Sequence, residues 1–286
     1  MAKSYSPLRY PGGKGKFYKY IIPIFDRNNV KNAIYIEPFA GGAGLACELL
    51  IKKKVSRLVL NDYDRSIYAF WYSILNYTDE FCNKILSVDV TMHERERQKA
   101  IQLNKNTASL LDLGFSTFFL NRTNRSGIIK GGPISGTNYP LDCRFNKESL
   151  VTLIKTIASE KEKIEVSNLD AVDLIKELKD KNNKDDYFIF LDPPYYNKGK
   201  DLYVNFYKHE DHINLSETIM DNLKDYKWIL TYDYCPQIKS IYMEHKESAY
   251  KNFKKKSYTL SYTAGKARKG IELLYYNKLI VPNIKY

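Results

Sequence analysis

Apolar positions in this chain gather into short unbroken runs, each ending in a stretch rich in turn-forming residues. Ala33-Ile34-Tyr35-Ile36 runs into Glu37-Pro38-Phe39-Ala40-Gly41-Gly42-Ala43-Gly44. A helical pattern from Leu45 to Lys54 follows, and then a second run, Arg57-Leu58-Val59-Leu60. Runs this short and continuous suit buried parallel strands, and the order strand, glycine turn, helix, strand predicts a βαβ unit. Tyr187-Phe188-Ile189-Phe190-Leu191 and Lys227-Trp228-Ile229-Leu230-Thr231 read as further strands. Near the end, Lys256 to Thr263 and Gly270 to Asn277 flank a basic, glycine-containing loop, which predicts an antiparallel hairpin.

Between about Phe70 and Leu150 the texture changes. A charged helical stretch, His93 to Asn104, leads to Phe115-Ser116-Thr117-Phe118-Phe119-Leu120, which reads as an apolar strand. A loop rich in Gly, Ser, Thr and Asn, from Asn121 to Tyr139, comes next and is suited to displaying side chains at its tip. The expected architecture is α/β and Rossmann-like. Residues 1–70 and 150–286 would form the core domain, and residues 71–149 an inserted, mainly helical subdomain with a β-hairpin.

Charge narrows the partners. The 286 residues include 45 Lys and Arg against 33 Asp and Glu, a net charge of +12 with an isoelectric point near 9.2. Such an excess favours polyanions, nucleic acid ahead of an anionic membrane. Lys251, Lys254, Lys255, Lys256, Lys266, Arg268 and Lys269 concentrate it near the end of the chain. No apolar run approaches the ~18 residues of a membrane span. The first residues lack the apolar core of a secretory leader, and Cys47, Cys82, Cys143 and Cys235 are scattered without a CxxC pair. The expectation is a cytoplasmic protein with reduced thiols. His209 and His212 lack a third ligand and read as surface polar residues, so no metal is expected.

Two loops carry chemistry. Gly41, Gly42 and Gly44 stand where a strand becomes a helix, and glycine there permits a tight turn and close approach of a ligand. About eighteen residues past Gly44, Asp62 ends the next strand, the offset at which an acid grips ribose hydroxyls. Cys47 occupies the place of a dinucleotide fingerprint's third glycine, and no Gly-Lys pair is followed by Ser or Thr as in a P-loop. A nucleoside cofactor without phosphate fits better, and S-adenosylmethionine is one. The second loop, Asp192-Pro193-Pro194-Tyr195, follows an apolar strand. An aromatic amine is a poor nucleophile because its lone pair is delocalised into the ring. The Asp192 carboxylate and Pro193 carbonyl can accept its hydrogen bonds, localising the lone pair and stabilising developing positive charge. Two prolines stiffen the turn, and Tyr195 offers a ring on which a flipped base can stack.

With these motifs the chain resembles the Dam-type, α-class DNA adenine-N6 methyltransferases over most of its length. Leu8 to Lys14 resembles the family's N-terminal cofactor motif, Glu37 to Gly44 its glycine motif, and Asn121-Arg122 through Ser126-Gly127 its DNA-recognition hairpin. Asp192 to Tyr195 is similar to its catalytic tetrad, and Glu272-Leu273-Leu274 with Asn277 to its closing strand. The resemblance implies methyl transfer from S-adenosylmethionine to a flipped adenine in double-stranded DNA. It implies cofactor contacts from Tyr10, Lys14, Glu37, Phe39, Gly41, Gly42, Asp62 and Asp192, with Asp170 on the cofactor's adenine amino group. Arg122, Asn124, Arg125, Ser126 and Lys130 would meet DNA, with Arg122 and Arg125 docking the hairpin and Asn124 or Arg125 reading a base. A monomer is expected, and a cognate restriction nuclease stays open as a partner. Arg9-Tyr10-Pro11 replaces the Trp-Ala pair of the best-known members, and the tip Thr123-Asn124-Arg125 lacks their Gly and aromatic, so a GATC target does not follow. Ring-carbon cytosine methylation is excluded because it needs a Pro-Cys pair and the chain has only Cys235-Pro236. Cytosine-N4 methylation, and a binding module without catalysis, remain as alternatives.

Overall fold

The computed structural model describes residues 4–10, 12–135, 139–196, 207–247, 253–262 and 268–282. Its strands are β1 (Ile34–Glu37), β2 (Arg57–Asn61), β3 (Ile164–Ser167), β4 (Tyr187–Leu191), β5 (Lys227–Asp233), β6 (Lys254–Tyr262) and β7 (Arg268–Asn277). They form one sheet in the order β3-β2-β1-β4-β5-β7-β6. The first five are parallel, and β7 runs antiparallel to both β5 and β6. The four strands expected in the core appear as β1, β2, β4 and β5, as does the terminal hairpin, whose Lys251, Thr263 and Lys266 lie outside the described residues; β3 was not expected from the sequence.

Side-chain alternation along the strands divides the core in two. Tyr35, Leu58, Phe188, Phe190, Ile229 and Leu274 pack on one face of the sheet with α1 (Tyr18–Arg27) and α2 (Gly44–Ile51). Ile36, Ile189, Leu191, Trp228, Leu230 and Leu273 pack on the other, under α8 (Ala171–Leu178), α9 (His209–Asn222) and α10 (Pro236–Glu247). Both faces are covered, which is why these strands read as continuous apolar runs. The strand order reverses between β1 and β4, and open α/β sheets bind ligands beyond the carboxyl ends of strands at such a point.

The remaining helices are α3 (Arg65–Asn76), α4 (Thr78–Ser87), α5 (Met92–Leu103), α6 (Leu110–Thr123) and α7 (Lys147–Ala158). Here the sequence reading needs correction. Phe115 to Leu120 is not a strand but the middle of α6, capped by the Ser109 hydroxyl accepting from the Asp112 amide at 3.1 Å. An apolar run without alternation fits a helix buried all round as well as a strand. Phe70, Phe81, Phe115, Phe118, Phe119 and Phe145 pack together with the first core face. The cuts at 70/71 and 149/150 fall inside α3 and α7, each continuous across the cut. The expected hairpin is a tight turn with one bridge, Asn124 to Pro133, supported by Arg125 N–H to the Gly132 carbonyl at 3.0 Å. Gly136, Thr137 and Asn138 of the expected loop lie outside the described residues.

Candidate active site

Residues from both chemical loops line one cavity of about 840 Å³. Tyr10, Lys14, Glu37, Phe39, Gly41, Gly42, Asp62, Asp170, Asp192 and Pro194 all reach it, and so does Arg122. The β2 end is stapled by Asn61, which is fully buried. Its amide donates to the Pro38 and Leu169 carbonyls, each at 3.0 Å, and its oxygen accepts from Leu169 N–H and the Ser167 hydroxyl. This ties the ends of β1, β2 and β3 together and sets Asp62 beside the glycine loop. The Asp62 carboxylate accepts from Gly41 N–H at 2.8 Å and Asp64 N–H at 2.9 Å, and burial pushes it up to about 7. Asp170 caps α8 through Val172 N–H at 2.8 Å. Tyr207, silent in the sequence, lines the same cavity with its ring edge-on to Phe39 at 6.0 Å. Two carboxylates and two aromatic rings fit a nucleoside with hydroxyl and amino donors better than a phosphate.

The glycines have a second use. Gly41 has a positive φ of 47°, and a Cβ there would meet the Tyr10 ring at 2.7 Å; one on Gly42 would meet Tyr10 Cβ at 2.7 Å. The close approach they permit is therefore to Tyr10, and not only to a ligand. Pro11, between Tyr10 and Gly12, lies outside the described residues.

Beneath the cavity runs a buried polar network. Lys14 donates to Asp192 Oδ1 at 2.8 Å, to the Tyr195 hydroxyl at 2.7 Å and to the Gly12 carbonyl at 3.3 Å. Its three N–H bonds are spent on protein, leaving none for the direct cofactor contact expected of it. Thr231 donates to the same Asp192 oxygen at 2.6 Å. Oδ2 takes no partner among the described residues, and the side chain is 21% exposed. Burial holds the Asp192 carboxyl above its ordinary range, against the pull of Lys14. Burial also pushes Glu37 up to about 8, although it accepts from the Tyr35 hydroxyl at 3.0 Å. Tyr195 departs from expectation. It is 5% exposed, the Lys14 ammonium sits 5.0 Å from its ring centre, and its hydroxyl donates to Glu272 at 2.6 Å. A ring so enclosed is not free to stack on a base.

The expected DNA-facing turn divides. Arg125, Ser126 and Lys130 are exposed, Ser126 with a φ of 54°. Asn124 is fully buried and cannot read a base. Its oxygen accepts from Arg95 Nε at 2.9 Å, and its amide donates to the Ile128 and Ile129 carbonyls at 2.9 and 2.8 Å. Asn121 likewise bonds both ways with the Arg9 backbone, at 2.7 and 2.9 Å. Arg122 is half-buried, its Nε unpartnered, and burial with Arg9 and Arg144 nearby lowers its guanidinium to about 9. Arg9, Arg122 and Arg144 form no ion pair among the described residues. His212 is buried rather than superficial, with Nδ1 2.9 Å from the Tyr232 hydroxyl. Cys47, Cys82 and Cys235 are buried free thiols and Cys143 is half-buried. No described helix is long and apolar enough to cross a membrane.

Three solved structures align with this chain at low identity. They are a putative RNA methyltransferase from Pyrococcus horikoshii (10% identity, 96% of this chain and 87% of that one, TM-score 0.43), a putative methylase from Haemophilus influenzae (11%, 93% and 99%, 0.36), and a putative methyltransferase from Escherichia coli (11%, 92% and 83%, 0.35). No curated protein matches the chain in sequence. A family match spans residues 10–258, from Tyr10 through the glycine loop, the helical segment and the Asp192 tetrad into β6. The chain belongs to the D12 class N6 adenine-specific DNA methyltransferase family.

Proposed function

We propose that this protein methylates the exocyclic N6 amine of adenine in double-stranded DNA, using S-adenosylmethionine. The observation that carries the reading is the Asp192 carboxylate, with Oδ1 locked by Lys14 and Thr231 and Oδ2 open at the edge of the nucleoside cavity. Asp62 would hold the ribose hydroxyls, Asp170 the cofactor's adenine amino group, and Phe39 with Tyr207 the ring. When bound, the cofactor supplies a methyl group on a positively charged sulfur. Asp192 Oδ2 and the Pro193 carbonyl accept hydrogen bonds from the target amine, which localises its lone pair for attack and stabilises the charge it acquires. The amine then sheds a proton, which Asp192 Oδ2, already its hydrogen-bond acceptor, can receive. The target base leaves the helix to reach this cavity. Residues 71–149 serve as the target-recognition unit. Arg9, Arg122 and Arg144 bring together three guanidiniums that form no ion pair among the described residues, and a backbone phosphate is the anion DNA provides. Arg125, Ser126 and Lys130 lie on the exposed turn beside them.

Long-read sequencing of DNA from a non-methylating host expressing the protein tests this directly. N6-methyladenine in a defined motif is expected from the wild type. Asp192→Ala should lose methylation by on the order of 10²-fold while still binding DNA. N4-methylcytosine in its place, or near-normal methylation by Asp192→Ala, would overturn the assignment.

A further inference from the structure

Glu272 stands in the middle of β7, in an otherwise apolar segment, and is fully buried. It projects to the same sheet face as Leu274, which is the face of Tyr35, Phe190 and Lys14. A carboxylate taken so completely out of water needs specific partners. Tyr195 donates its hydroxyl to Oε1 at 2.6 Å, and Lys14 Nζ lies 3.9 Å from Oε2.

A phenol owns one proton. Because Tyr195 gives that proton to Glu272, its oxygen can meet Lys14 only as an acceptor, which is the bond observed at 2.7 Å. One Lys14 N–H is thereby directed to Tyr195, a second goes to Gly12, and the third is left for Asp192 Oδ1. Removing the Glu272 acceptor removes the bond that points the phenol proton away from Lys14.

We infer that Glu272 is a positioning residue for methyl transfer: acting through Tyr195 and Lys14, it decides which oxygen of Asp192 stays open to the target amine. The inference rests on the methyl-transfer reading above. It also assigns Tyr195 a task other than stacking, as the bridge between the closing strand and the tetrad.

Charge gives the inference a signature that mere packing would not have. The groups facing Asp192 are Lys14, Glu37 and Tyr35 from β1, Glu272 from β7 and Tyr195, with neutral Thr231. Asp233, opposite Glu272 in the sheet, accepts from Tyr196 N–H at 3.2 Å. Lys14 is held above the ordinary lysine range because Asp192 and Glu272 together outweigh its burial. Glu272 in turn repels negative charge on Asp192. Replacing Glu272 by neutral Gln should therefore move the Asp192 titration to lower pH. Removing only the bridging hydroxyl, in Tyr195→Phe, should disturb position while leaving that charge in place.

The test compares wild type, Glu272→Gln, Tyr195→Phe and the double variant. Asp192 is titrated by carboxyl ¹³C NMR, assigned with Asp192→Asn, and single-turnover methyl transfer is followed across pH. Both single variants should lose roughly 10- to 100-fold in rate, as expected for a misplaced reacting group, with little change in KM for DNA. The double variant should be no slower than the worse single one, because both act on one bridge. The Asp192 midpoint and the acid limb of the rate should move to lower pH in Glu272→Gln and stay put in Tyr195→Phe. An Asp192 midpoint unchanged in Glu272→Gln, or losses that multiply in the double variant, would overturn the role of Glu272. The absence of any methyl transfer by the wild type would instead overturn the proposed reaction, and the NMR titration reads the Glu272 coupling independently.

Discussion

At the residue scale the site is a problem of charge. Glu37, Asp192 and Glu272 surround one ammonium, Lys14, at the carboxyl edge of the sheet. Burial resolves part of the excess by favouring a proton on Glu37, whose carboxyl is pushed up to about 8. The consequence for stability has a definite sign. An unfolded chain releases a Glu proton near its ordinary value of ~4.3, whereas the folded protein keeps it until about pH 8. Between those limits the native state holds more protons, so stability falls as pH rises. Glu37→Gln removes this titration. Relative to wild type it should gain at least about 1 kcal/mol between pH 5 and pH 8, measured from urea midpoints. A difference that does not vary with pH would show that Glu37 ionises in the fold as it does in the unfolded chain.

At the element scale the molecule depends on how closely α6 lies on α3. Gly114 is the point of contact. A Cβ at that position would meet the Ala69 carbonyl oxygen at 2.5 Å and Ser73 Oγ at 2.8 Å. A backbone oxygen inside a helix cannot step aside, so the helices would have to separate. Gly114→Ala should destabilise the protein by about 1–3 kcal/mol despite alanine's better helix propensity. A urea midpoint equal to that of wild type would mean that α6 shifts without cost. The same packing carries the turn after α6 to the cavity. Arg95, buried on α5, holds the Asn124 side chain at 2.9 Å and the Gly131 carbonyl at 2.9 Å. Gly127, at a φ of 75°, lies so close to the Arg9 backbone that a Cβ would fall 1.9 Å from its carbonyl oxygen. The N-terminal segment is thus clamped between the glycine loop and the turn.

At the scale of the whole molecule, a net charge of +12 should appear as salt-dependent affinity for duplexes. Arg122→Ala should weaken binding to all sequences alike and reduce the slope of log K against log salt by about one. Arg125→Ala, on the exposed turn, should cost about 1–3 kcal/mol on the preferred site and relax preference at one base pair. Binding to matched and singly mismatched duplexes across a salt series separates the two outcomes. Wild-type behaviour by both variants on every duplex would move the recognition surface to the basic stretch from Lys251 to Lys269.

The sequence by itself determined four of the five parallel strands and the two loops that meet at the cavity. Strands buried on both faces must be apolar throughout, and turns that hold ligands need residue types with few substitutes, so both leave local traces. Asp62 and Asp192 were legible for that reason. What depends on neighbours distant in the chain was not. Phe115 to Leu120 looks the same as strand or helix, and only its packing against Phe70, Phe81 and Phe145 decided for a helix. Asn124 has the chemistry of a base reader, but Arg95 from α5 and two carbonyls consume it. Tyr195 sits in a motif that suggests stacking, yet Glu272, 77 residues away, takes its hydroxyl. Tyr207 carries no local signal at all, and the segment around Glu272 gave only its likeness to a closing strand, not its partners. A hydrogen bond is settled by which donor and acceptor the fold brings within about 3 Å, and for these residues that choice was made by the tertiary structure.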